Sequence, residues 1–146
     1  MRRYLLIAAL SFAGMNSAYS AEFLCSYTAR ISAQDKMSSK GDSLVSGGKI
    51  TPAIAAAVIR QDRANYHEFK KRDAEDETDC VFDDKQKRAL LEKRLSQGTA
   101  SSNSLKEIVL GTPLIKVDVY DEYVDVSIIE DQEPEGEHDT NKSNIN

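Results

Sequence analysis

Histidine is scarce in this sequence, and the shortage limits the catalytic and metal sites that the chain can build. Only two of the 146 residues are histidines, and His138 lies near the C-terminus in a strongly acidic segment. A zinc site or a serine triad would therefore depend on His67 alone. The sequence indicates no metal and no cofactor, and its composition favours a protein that is not an enzyme.

Long apolar runs are also missing, with one short exception at the N-terminus. Residues 4–13 form an apolar run of about 10 residues, which follows two arginines and precedes small residues up to Ser20. A membrane-spanning helix needs about 20 apolar residues. The pattern therefore predicts a signal peptide over residues 1–20 that is cleaved after Ser20. We expect a mature protein that is periplasmic or secreted and does not span a membrane.

Basic residues are fewer than acidic residues in this sequence. The formal net charge is −5, and loss of Arg2 and Arg3 with the signal peptide makes it −7. Because phosphate backbones repel a negative protein, we expect no nucleic-acid partner. The expected partner is another exported protein, and the oligomeric state is left open.

There are only two cysteines, Cys25 and Cys80, and both lie in the mature chain. In an oxidising compartment the simplest expectation is one disulfide. It would close a loop of roughly 55 residues and stabilise the fold by about 4 kcal/mol. The alternative is a redox-active pair, but such cysteines are usually close in sequence, and the acidic neighbours of Cys80 disfavour a thiolate.

The first half of the mature chain predicts a strand, a loop and a long helix. Residues 22–31 favour a short strand, and residues 32–49 are rich in serine and glycine, as in a long loop. Thr51 and Pro52 favour a helix start, and we expect that helix to run to about Arg72. Its apolar face is predicted from helical spacing to contain Ile54, Val58, Ile59, Tyr66 and Phe69.

The opposite side of this predicted helix is positively charged. The residues of this basic stripe are Arg60, Arg63, His67, Lys70 and Lys71. One interpretation is a surface that binds an anion or a partner; the other is a stripe that is solvated or neutralised by the acidic segment of residues 73–84. That segment can be aligned with a calcium loop, but Thr78 replaces the required glycine, so an ordinary solvated acidic loop, which can fold back on the stripe, is favoured.

The remaining sequence predicts a second helix and a β-hairpin. Residues 85–97 favour a helix that is capped by an aspartate and ended by Gly98, and a serine-rich linker follows. Leu105 to Leu110 are expected to add a third strand. Strict alternation over residues 115–120 and 123–128 then predicts a hairpin.

The register of this hairpin predicts a polar face with a candidate site. With Asp121 and Glu122 as the turn, the valines and isoleucines of the two strands share one face. The other face places Asp118 directly opposite Asp125, beside Tyr120 and Tyr123. Two facing carboxylates are either solvated or form a small acidic site for a cation or for a basic side chain of a partner.

Together these features predict a small α+β domain over residues 21–129 and a disordered acidic tail over residues 130–146. We expect one long and one short helix to pack on a C-terminal antiparallel hairpin or three-stranded sheet. The favoured function is a non-catalytic binding protein, such as an inhibitor or immunity-type protein that acts on another exported protein. The alternatives are a carboxylate-dependent hydrolase and a structural envelope-associated subunit.

Overall fold

An antiparallel sheet of three strands lies at the centre of residues 20–129, the part of the chain that this computed structural model describes. The strands are β1 (Phe23–Arg30), β2 (Leu114–Tyr120) and β3 (Val124–Ile129). They pair in the order β1-β2-β3, and four helices accompany them within the described residues. The α+β fold class is therefore confirmed. The predicted signal peptide and acidic tail lie outside the described residues, apart from Ser20.

The predicted hairpin register is confirmed. Val119 pairs with Val124 and Val117 pairs with Val126, so the apolar side chains of β2 and β3 share one face. Tyr27 and Ala29 of β1 lie on the same side and are fully buried. This face forms the core together with residues from the helices, because alternation in a strand places every second side chain on the same side.

The third strand is β1, and the prediction of a strand at Leu105 to Leu110 is wrong. Those residues belong to helix α4 (Ser102–Leu110), and the side chain of Ser101 caps the helix by accepting the Ser104 N–H. Ile108 and Val109 are buried whereas Leu110 is exposed. A short apolar run fits a strand and a buried helix equally well, and the serine cap decides for the helix.

Helix α1 (Pro52–Ala64) begins where predicted, with the Thr51 hydroxyl accepting the Ile54 N–H at 3.2 Å. It does not continue to Arg72. One turn of π-helix, Asn65–Phe69, follows it, and Lys70 ends the turn in the left-handed conformation at φ 57°. The Asn65 carbonyl accepts the Lys71 N–H at 2.8 Å, which closes the helix end.

The π turn changes the direction of the side chains after Asn65. Tyr66 stays on the buried face, but Phe69 is 44% exposed. The prediction that Phe69 belongs to the apolar face is therefore wrong. The wider turn adds a residue to the helical repeat, so a position that α-helical spacing would place inside is rotated toward solvent.

The predicted second helix is divided in two. Helices α2 (Lys85–Ala89) and α3 (Leu91–Gln97) are separated at Leu90, and the Asp84 carboxylate caps α2 through the N–H groups of Gln86 and Lys87. Gly98 ends α3 as predicted. Glycine is required at this position because the chain passes close to β3: a Cβ on Gly98 would lie 1.9 Å from the Val124 carbonyl oxygen.

Candidate functional site

Three aromatic side chains form a row across one end of the sheet. Phe23 is the register partner of Tyr120, and the ring centroids are 5.5 Å apart in an edge-to-face arrangement. Tyr120 stacks on Tyr123 across the hairpin with a centroid distance of 4.4 Å. Phe23 is 53% exposed, although a large apolar side chain is normally buried. We call Phe23, Tyr120 and Tyr123 the aromatic row.

Acidic residues frame one end of the aromatic row. The Asp121 carboxylate accepts the Glu22 N–H at 2.9 Å, and the Asp121 N–H donates to the Glu22 carbonyl at 3.0 Å. These two bonds tie the residue before β1 to the hairpin turn. Glu122, the second residue of the turn, is exposed. The aromatic row is therefore held on rigid strands beside exposed carboxylates, and the Arg94 guanidinium donates to the Tyr120 carbonyl at 3.2 Å.

Asp118 and Asp125 are directly opposite each other, as the predicted register requires. Each carboxylate has its own partner: Lys116 pairs with Asp118 at 2.9 Å, and the N–H and hydroxyl of Thr99 donate to Asp125 at 2.7 and 2.8 Å. Partial burial would raise the pKa of Asp118, but hydrogen bonds from Lys116 and Ser26 outweigh it and lower that pKa below its ordinary value. The facing acids are thus relieved by neighbouring donors.

The basic stripe is separated into buried and exposed members. Arg63 is 0% exposed. Its guanidinium lies between the rings of Tyr27 and Tyr66, at 4.4 and 4.7 Å from their centroids. It donates to Asp62 at 2.7 Å and to the Glu77 carbonyl at 2.8 Å. Solvent anions cannot reach this group, so Arg63 acts as an internal cation of the core.

Of the other four members of the stripe, Lys71 is exposed, and His67, Lys70 and Arg60 have three different environments. His67 is half-buried, and its Nε2 lies 2.5 Å from the Asp79 carboxylate. Lys70 is exposed and donates to the His67 carbonyl at 2.7 Å. Arg60 is exposed and forms no ion pair with a described residue. The structure does not bring Arg60, Arg63, His67 and Lys70 together as one surface.

Asp79 is the acid that neutralises this part of the stripe. Its side chain is fully buried, lies 3.4 Å from Arg63, and accepts the N–H groups of Val81 and Phe82. Burial alone would raise the pKa of Asp79. The hydrogen bonds from His67 and from the two amides have the larger effect, so the pKa is lowered below its ordinary value.

The acidic segment of residues 73–84 also covers the free edge of β1. The Thr28 N–H donates to the Glu77 carboxylate at 2.8 Å, and the Glu77 N–H donates to the Thr28 carbonyl at 2.9 Å. The Arg30 N–H donates to the Asp76 carboxylate at 2.9 Å. An uncovered edge strand is a template for unwanted pairing, so these acids have a structural role. Across residues 20–129 no three acidic, histidine or cysteine side chains are placed to hold a metal ion.

The Cys25–Cys80 disulfide is formed and attaches the acidic segment to β1. The predicted pairing of these cysteines is therefore confirmed at the level of the fold. A disulfide is compatible with an oxidising extracellular compartment. No helix among residues 20–129 has the length and apolarity needed to cross a membrane.

Sequence reasoning missed two residues that shape these surfaces. Phe23 completes the aromatic row, but its partner Tyr120 is about a hundred positions away, so only the pairing of β1 with β2 reveals the contact. Arg88 is buried and donates to the Phe82 and Asp83 carbonyls and to Glu68. A lone arginine in a charged helix carries no sequence signal of burial.

Comparisons with known proteins yield no match: no protein-family model, no curated protein and no solved structure is similar to this chain.

Proposed function

We propose that the protein is an exported, non-catalytic binding protein that blocks or shields another exported protein, as an inhibitor or immunity-type protein would. The observation that carries the proposal is the aromatic row. Phe23 is exposed, and Tyr120 and Tyr123 are partly exposed on a rigid sheet. Aromatic residues are among those that most often dominate protein–protein binding energy. Their exposure also lacks a role in folding, since the core of β1, β2 and β3 lies on the opposite face.

Charge around the aromatic row favours a basic partner. Glu22 and Glu122 are exposed beside the row, and Asp125 on the same face of the sheet is hydrogen-bonded to the uncharged Thr99, whereas the charge of Asp118 is offset by Lys116. Complementary charge at the rim of an interface raises the association rate and selects the partner. We therefore expect the partner to present lysine or arginine next to an apolar surface.

Export is supported by two independent features. The N-terminal sequence has the order of a signal peptide, and the Cys25–Cys80 disulfide is compatible with an oxidising compartment. Such a protein would meet its partner outside the cytoplasm. A periplasmic or secreted location belongs to this proposal.

The carboxylate-dependent hydrolase has less support. A general acid needs a carboxyl group that keeps its proton near neutral pH, whereas the pKa of Asp118 is lowered. Asp125 is held by Thr99 in a structural contact. A turnover that disappears in both Asp118→Asn and Asp125→Asn would favour the hydrolase over the binding protein.

Affinity capture from an envelope extract tests the proposal. The wild-type protein and a Phe23→Ala/Tyr123→Ala variant are compared at low salt, with Leu110→Ala as a control that removes an exposed apolar side chain elsewhere. We expect one basic protein to be recovered with wild type and Leu110→Ala, and about tenfold less with the double variant. Equal recovery with all three contradicts the proposal, and a stable oligomer of the pure protein would support the structural subunit instead.

A further inference from the structure

A second exposed aromatic side chain lies at the end of the π turn, in a region that the proposed function does not use. Phe69 is 44% exposed and Met37, in the loop after β1, is 41% exposed. Both line the same cavity of about 310 Å³, which also contains Gln61, Asn65 and Lys71. The π turn creates this arrangement because it rotates Phe69 out of the core.

This cavity continues into a second one. The neighbouring cavity has a volume of about 240 Å³ and shares Ser39, Gln61 and Phe69 with the first. Its remaining walls come from the last turns of α1 and from α2, including Arg60 and Lys85. Because they share these residues, the two cavities adjoin at Phe69 and form one groove, which we call the Phe69 groove. A groove built from two adjoining cavities can take successive side chains of an extended segment.

Hydrogen bonds that lead to a buried carboxylate fix the polar side chains of the groove. Gln61 donates to the Asn65 side-chain oxygen at 2.9 Å, and Asn65 donates to the buried Asp35 carboxylate at 2.8 Å. This chain of bonds fixes the amides and leaves the Gln61 side-chain oxygen without a described donor. Fixed amide groups on a groove wall can bind the backbone N–H of an extended peptide.

The charge of the groove is opposite to that of the whole chain. Arg60, Lys71 and Lys85 are exposed, and none forms an ion pair with a residue in the described range 20–129. The one acid on the groove wall, Glu68, is paired with Arg88 at 2.8 Å. Three unpaired cations therefore surround Phe69 in a protein whose net charge is −5.

We propose that the Phe69 groove binds an extended acidic segment of a second protein, with an apolar side chain of that segment on Phe69 and its carboxylates on Arg60, Lys71 and Lys85. This site is separate from the aromatic row and does not depend on the proposed function. The aromatic row has acidic surroundings and fits a basic partner, whereas this groove fits an acidic one. The cations give attraction, and Phe69 with Met37 gives the apolar contact that pure anion binding lacks.

Fluorescence anisotropy with a labelled peptide of alternating glutamate and leucine tests the proposal on the full-length mature protein. We expect saturable binding that weakens with salt, and no binding of the peptide in which glutamine replaces glutamate. Phe69→Ala should weaken binding about tenfold, and Arg60→Glu and Lys71→Glu should each weaken it by a similar factor. Met37→Ala serves as the second apolar variant if Phe69→Ala does not fold.

Matched controls are available on α4 and on the aromatic row. Leu110→Ala removes an apolar side chain that is 55% exposed, against 44% for Phe69. Lys106→Glu reverses a charge outside the groove, and Tyr123→Ala alters the aromatic row. All three should bind the peptide as wild type does. Loss of binding in Tyr123→Ala with normal binding in Phe69→Ala would overturn the groove as the site.

Two further probes test which kind of ligand binds the Phe69 groove. Residues 130–146 of this chain contain six acidic residues, and a synthetic peptide of that sequence is the first probe. Tighter, Phe69-dependent binding of that peptide than of the glutamate–leucine peptide would overturn a partner protein as occupant. Tighter, Phe69-dependent binding of single-stranded DNA would overturn an acidic protein segment. Weaker binding of both supports the proposal.

Discussion

Gly98 lies so close to β3 that any side chain larger than a hydrogen atom would clash with the strand. Sequence spacing predicted a helix stop, but the physical reason is the 1.9 Å that would separate a Cβ from the Val124 carbonyl oxygen. Neither backbone can move easily, because the Val126 N–H also donates to the Thr99 carbonyl at 2.8 Å. A close approach between distant segments has no signature in local sequence.

The Gly98→Ala substitution should therefore destabilise the protein by about 2–3 kcal/mol. Urea unfolding followed by circular dichroism measures the change. The control is Gly111→Ala, where the nearest atom is the end of the flexible Glu107 side chain, and a smaller loss is expected. If the two substitutions had equal effects, the tight packing of Gly98 on β3 would be contradicted.

The charge of Asp79 should make the free energy of unfolding depend on pH in the acidic range. Its pKa is lower in the folded protein than the ordinary value of 3.8, so its charge stabilises the fold above that pH. This contribution is lost as the pH falls through the lowered folded-state value. Asp79→Asn should cost about 3 kcal/mol at neutral pH, because it leaves Arg63 and His67 with less negative charge nearby.

The measurement compares the unfolding free energy of wild type and Asp79→Asn between neutral pH and about pH 2. The difference should shrink on acidification, while Asp42→Asn, at an exposed loop position, should match wild type throughout. A difference that stays constant over the whole range would show that the charge of Asp79 has no such role.

Among the elements, the hairpin was predicted in full, whereas the strand expected at Leu105 to Leu110 is a helix and the end of α1 was misplaced. The hairpin follows from strict alternation on both sides of a two-residue turn, and a slip of one residue would have exposed every valine of β2 and β3. The end of α1 was not predicted, because the π turn after Ala64 interrupts a helical spacing that continues in the sequence. The burial of Arg63 was not predicted either. Neutralisation of the stripe by residues 73–84 was one of the interpretations, but which of their acids reach Arg63 depends on the tertiary fold, which selects Glu77 and Asp79.

The disulfide should stabilise the contact between β1 and the acidic segment of residues 73–84 more than the rest of the sheet. In a Cys25→Ser/Cys80→Ser variant, the amides of Thr28 and Arg30 should lose hydrogen-exchange protection, because they donate to Glu77 and Asp76 in the attached segment. The amides between β2 and β3 should keep theirs. Overall stability should fall by up to about 4 kcal/mol. Equal loss of protection across the sheet would contradict this local role.

At the scale of the whole molecule, the two candidate surfaces differ in charge and in origin. Two of the three residues of the aromatic row, Tyr120 and Tyr123, follow from the hairpin register, while Phe23 comes from another strand. Arg60 and Lys71 of the Phe69 groove were predicted from sequence as part of the basic stripe, but Phe69 was predicted in the core. Surfaces that combine several elements depend on tertiary packing, which local pattern does not encode.

The central claim is that the aromatic row binds another exported protein, and site-specific photo-crosslinking in the exporting cell tests it most directly. Tyr123→p-benzoylphenylalanine is compared with Leu110→p-benzoylphenylalanine, which places the same probe at a position that is 55% exposed on α4. We expect a single crosslinked product with another exported protein at position 123 and none at position 110. No product at position 123, or the same products at both positions, would contradict it.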